Sequence, residues 1–159
     1  MHVHVLEGFG GFYSPGGSTP ALLEEAFNDS TLRATNFVIV HGGWPRIDQT
    51  ESLIAKPNVY ADISMMTLML EPSELARALR QLLALWPEKL LFGSDAFEGG
   101  PEQGWDQGAR IASISARHAL ALALTAMMRD GDITRERAEA LARMVLRENA
   151  LALYHIGGK

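Results

Sequence analysis

The sequence predicts an α/β fold, and three observations predict it. Short apolar runs alternate with helix-period segments along the whole chain. The runs are mostly continuous in apolar residues rather than alternating with polar ones, as suits parallel strands covered on both faces. Each run then ends in a polar or ionisable residue, which gathers those groups at one edge of a parallel sheet.

The first strand is His2 to Leu6. Thr19-Pro20 opens a helix to about Asp29, with Leu22, Leu23, Ala26 and Phe27 as its apolar face and Pro20 tolerated in the first turn. Phe37 to His41 is the second strand, and Ile47 to Lys56 a weaker helix ended by Pro57. After the third strand, Val59 to Ile63, the helical spacing of Leu75, Leu79, Leu82, Leu83 and Trp86 predicts a helix from Ser73 to Trp86, which Pro87 stops. Leu90 to Phe92 is the fourth strand. A long helix follows from about Asp106 to Arg129, with Gly131 as its stop, and a last one from about Thr134 to Tyr154 carries Leu141, Met144, Val145 and Leu151. The order is βαβαβαβαα, which implies parallel pairing through right-handed crossovers. Four strands make either a small open sheet or half of a TIM (β/α)8 barrel, which takes about 250 residues in full.

Composition narrows the function. A chain of 159 residues is one domain, 1–159, and 47% hydrophobic with 21% charged residues is a globular composition. A net charge of −5 with no Lys/Arg block gives nucleic acid no footprint. With no Cys, any metal must be held by His, Asp or Glu. Met1 to Leu6 lacks the form of a signal peptide, so a cytoplasmic protein is expected. The longest greasy stretch, Ala119 to Met128, falls short of the roughly 20 residues that span a bilayer. It is expected to be a buried helix, with no membrane partner. Met65 to Leu70 is expected to be a packed wall under a loop.

The strand ends carry the candidate chemistry. His2 and His4 lie on the first strand and project to the same face, His41 ends the second, Asp62 and Ser64 end the third, and Ser94-Asp95 ends the fourth. Of the 15 glycines, 12 fall in Gly8 to Gly17, Gly42-Gly43 and Gly93 to Gly108, where the backbone turns after strands. A catalytic zinc site takes about three protein ligands and leaves one position to water. His4, His41 and Asp95 are the candidate ligands, with His2 either joining them or supporting them from behind. No P-loop, H-E-x-x-H or G-x-S-x-G pattern is present, and Gly8-Phe9-Gly10-Gly11 lacks dinucleotide-fingerprint spacing.

Four segments carry a family resemblance. They are Phe37-Val38-Ile39-Val40-His41-Gly42-Gly43-Trp44-Pro45, Pro57-Asn58-Val59-Tyr60-Ala61-Asp62-Ile63-Ser64, Lys89-Leu90-Leu91-Phe92-Gly93-Ser94-Asp95-Ala96-Phe97 and Arg147-Glu148-Asn149-Ala150-Leu151-Ala152-Leu153-Tyr154. In this order and spacing they resemble the C-terminal half of an amidohydrolase-related (amidohydrolase 2) metal-dependent hydrolase. The resemblance implies half of a (β/α)8 barrel, in a family of hydrolases and non-oxidative decarboxylases. It makes His2-Val3-His4 the family's fifth strand, with His4 the metal ligand. His41 becomes a ligand or a polariser, and Asp95 the metal neighbour and the base that activates water. Asn149-Ala150 resembles the family's closing-helix signature, a structural feature. The family's first-strand His-x-His pair has no counterpart, because only 37 positions take His4 to His41.

The expected function is therefore metal-dependent hydrolysis of a small molecule, or decarboxylation of a small carboxylic acid. A divalent metal, zinc by expectation, would bring a bound water toward neutral pKa while Asp95 takes its proton and His41 steadies developing negative charge. Trp44 and Phe97, following the ligands, are candidate walls for the substrate. The competing expectation is a catalytically inactive half-barrel scaffold. Either way, two unpaired edges and an apolar inner face imply a homo-dimer or a missing N-terminal half.

Overall fold

The computed structural model describes residues 1–6, 15–100 and 104–157. Four strands, β1 (His2–His4), β2 (Phe37–Val40), β3 (Val59–Asp62) and β4 (Leu90–Leu91), form one sheet. Every pairing is parallel and the spatial order is β1-β2-β3-β4, the order of the chain. A doubly wound sheet reverses its strand order at a switch point; this one does not, and the open sheet has the strand order of a partial barrel. Each strand is shorter than its apolar run. Val5 and Leu6 are buried without strand pairing, and His41 leaves the strand to open a tight turn, His41–Gly43.

The helices are α1 (Glu24–Asn28), α2 (Ile47–Leu53), α3 (Met66–Met69), α4 (Pro72–Leu85), α5 (Trp105–Arg129), α6 (Arg135–Arg143) and α7 (Asn149–Tyr154). The helix expected from Thr19-Pro20 is a 3-10 turn, Pro20–Leu23, running into α1, and it exposes Leu22 while burying Phe27. The Met65 to Leu70 wall is α3, whose Met66 is buried.

Register divides the sheet cleanly. Val3, Ile39, Ala61 and Leu90 share the row that faces the helices and join Leu75, Leu79, Ala116, Leu120 and Leu141 in the main core. His2, His4, Val38, Val40, Tyr60, Asp62 and Leu91 alternate onto the opposite face. There, among the described residues, α7 packs, its Leu153 and Ala150 meeting Val38, Tyr60 and Leu91. The lower part of this inner face is therefore plugged, while His4 and Val40 remain open towards the C-terminal edge of the sheet.

α5 is the expected core helix, buried along one stripe: Ala112, Ala116, Ala119, Ala123 and Met127 line that stripe, whereas Ile111, Ile114 and Leu122 face outward. By length and composition alone it could cross a membrane. The small side chains of the stripe let it lie close on α4, its most extensive helical neighbour, as a core helix.

The C-terminal helix corrects the expectation of one continuous run. Its run breaks at a widened π turn, Met144–Glu148, between α6 and α7. There the Val145 carbonyl accepts a bond from the Phe92 N–H at 2.9 Å. Asn149 Nδ2 donates to the Leu90 and Pro87 carbonyls, each at 2.8 Å. The outer side of β4, expected to be an unpaired edge, is thus satisfied by helix rather than by strand. β1 ends the sheet at the other side and pairs with β2 alone among the described residues.

Candidate metal centre

Strict alternation would send His41 to the helix-facing side with Ile39. Instead its backbone turns left-handed, with φ 65°, and its ring lies edge-on to that of His4, 4.6 Å between centroids. A positive φ on a residue other than glycine costs energy and recurs where a structure holds a functional group in place. Two further cases follow the next strands: Met65, φ 55°, after β3 and Asp95, φ 52°, after β4. The turn after His41 continues left-handed through Gly42 and Gly43. At Gly43 a Cβ would run into the Thr50 and Pro20 side chains, so only glycine fits.

The buried carboxylate of Asp62 holds this turn. Its Oδ1 accepts the His41 backbone N–H at 3.0 Å, the Ser64 backbone N–H at 2.9 Å and the Ser64 hydroxyl at 2.5 Å. His41 is 1% exposed, Ser64 4% and Asp62 8%. The His41 Nδ1 lies 2.9 Å from Ser64 Oγ and 3.2 Å from the Ser64 carbonyl oxygen. Gly93, following β4, presses on this group: a Cβ there would stand 2.9 Å from Ser64 Cβ and 3.5 Å from Asp62 Cγ. Gly93→Ala is accordingly expected to lose about 1–3 kcal/mol of stability through overpacking. An unfolding curve unchanged from the parent would contradict that packing.

The remaining candidates separate. His2 stands on the same face as His4 but is engaged elsewhere, its Nε2 hydrogen-bonded to the Tyr154 hydroxyl at 2.8 Å and its ring stacking on the tyrosine at 5.9 Å. Burial, helped by the Asp62 charge, raises the Tyr154 phenol above its ordinary value. Asp95 is exposed on its left-handed turn. Trp44 is half-buried against the main core, and Phe97 is 57% exposed. Among the described residues no three His, Asp or Glu side chains gather into a group that could hold a metal. His4 and His41 come together; His2 and Asp95 do not join them. A cavity of about 640 Å³ opens elsewhere, lined by Leu83, Pro87, Met127, Ile133, Arg137 and Leu141 among others, none of them candidate site residues. The Gly8 to Gly11 stretch, expected to shape the pocket, lies outside the described residues.

In the sequence Asp62 and Ser64 read as polar strand ends without a task. The available signal was their spacing: an Asp carboxylate bonding the N–H two residues on is a recurrent local motif.

Comparison with known proteins agrees with this architecture. The amidohydrolase family model matches residues 3–156. No curated protein matches the chain. Its fold is similar to that of a presumed metal-dependent hydrolase from Lactobacillus casei ATCC 334 in a crystal structure, with a TM-score of 0.77 and 22% identity over 97% of this chain. The chain spans 38% of the length of that protein. With a family model covering nearly all of its residues and a sheet whose strand ends carry the matching motifs, the chain belongs to the amidohydrolase family.

Proposed function

We propose that this chain carries the C-terminal half of a metal-dependent hydrolase site. Contact between the His4 and His41 imidazoles at the open end of the inner face is the observation that carries the reading. Imidazole suits zinc and other divalent ions, so the pair is right in kind. It falls short in number, since a catalytic zinc takes about three protein ligands. The rest of the donor set belongs to residues beyond this pair, with Asp95 the first candidate. A bound divalent metal would supply Lewis acidity and a water acidic enough to lose its proton near neutral pH. Asp95, exposed and negatively charged, is suited to take that proton, and His41 to steady charge developing on the substrate. The reaction is hydrolysis of a small molecule, or decarboxylation if the same site grips a carboxylate.

The missing strands would add at the edge of β1, because the outer groups of β4 are already bonded to Val145 and Asn149. They come from a second copy or from an N-terminal half. A second reading, an inactive half-barrel scaffold, is favoured by the gathering of only two ligands. Native mass spectrometry of the purified chain separates the two. One zinc per chain or per dimer is expected, whereas a metal-free monomer after zinc loading would leave the scaffold.

A further inference from the structure

We infer that Ser64 is a positioning residue: its hydroxyl, anchored on Asp62, holds His41 in the Nδ1-protonated form and leaves the lone pair on Nε2. The inference deepens the reading above and rests on it only for its consequence in metal or substrate binding. Proton accounting carries it. A serine hydroxyl has one proton to give. Asp62 Oδ1 already accepts two backbone N–H groups, which makes this oxygen an acceptor in the network. At 2.5 Å from that oxygen, the Ser64 proton is committed to Asp62. Ser64 Oγ therefore meets His41 Nδ1 at 2.9 Å as an acceptor, and Nδ1 must be the donor. The Ser64 carbonyl, 3.2 Å from the same nitrogen, also can only accept and argues the same way.

Free neutral histidine favours the other tautomer, with its proton on Nε2, so the chain spends three buried polar groups on reversing that preference. Metal-binding histidines commonly owe their orientation to such a partner on the second ring nitrogen. Here the partner is a hydroxyl rather than a carboxylate, and the carboxylate stands behind it.

The test reads the tautomer directly in the metal-free chain. Long-range proton–nitrogen NMR spectra of the imidazoles, in mildly alkaline buffer, should show His41 with Nδ1 protonated and Nε2 bare. Ser64→Ala leaves Nδ1 only the longer carbonyl contact, and the Nε2-protonated form should rise from undetectable to a measurable share. A parent chain with His41 protonated on Nε2 would overturn the inference without any variant having to fold. An unchanged tautomer in Ser64→Ala would overturn the hydroxyl's part in it. Because no metal is present, a confirmed tautomer in a chain that binds no zinc would defeat the functional reading alone.

Discussion

Asp62→Ala is expected to cost about 3–5 kcal/mol of folding stability, since each buried donor left unpaired costs about 1–3. The substitution strips the acceptor from two buried backbone N–H groups, those of His41 and Ser64, and from the Ser64 hydroxyl. It also removes what opposes the left-handed strain at His41, so the ring should leave His4. Asp62→Asn keeps an oxygen in place for the two backbone donors and should lose less than half as much. Urea denaturation of both variants checks the ranking. A loss below about 1 kcal/mol for Asp62→Ala would mean that water replaces the carboxylate and that the turn does not depend on it.

Asn149→Ala is the second large effect, expected at about 2–4 kcal/mol. Asn149 is 7% exposed, and its amide bridges the carbonyls of Pro87 and Leu90. Loss of the amide uncouples α7 from the start of β4 and reopens that edge. Asn149→Asp should be worse than alanine, because a carboxylate cannot donate and would face two carbonyl oxygens. Equal stability for the two variants would show that the bridge contributes little. Asn149 thus has a physical task in this fold: it seals a strand edge.

The sequence made the class, the four strand positions and the long helices legible because apolar periodicity is a local property. α4 and α5 begin and end within a residue of their expected bounds, with Pro72 at the first turn of one and Gly131 just past the end of the other. Features that depend on non-local geometry were not legible. His41 reads as the last residue of an apolar strand, and nothing in its type announces a positive φ, which the grip of Asp62 across the sheet imposes. The π turn at Met144–Glu148 lies inside a smooth helical pattern, so its bond to Phe92 could not be foreseen. His2 and His4 are equivalent by alternation, and what separates them is non-local: Tyr154, 152 residues further on, engages His2, while His4 meets His41.

On the proposed function His4 and His41 together face a metal, and calorimetric titration of zinc into the 159-residue chain, beside His4→Ala and His41→Ala, checks this. Saturable binding is expected in the parent, with a loss of at least about tenfold in affinity in each variant, as when a ligand or its support is removed. Equal affinity in all three proteins, or no binding by the parent, would contradict it.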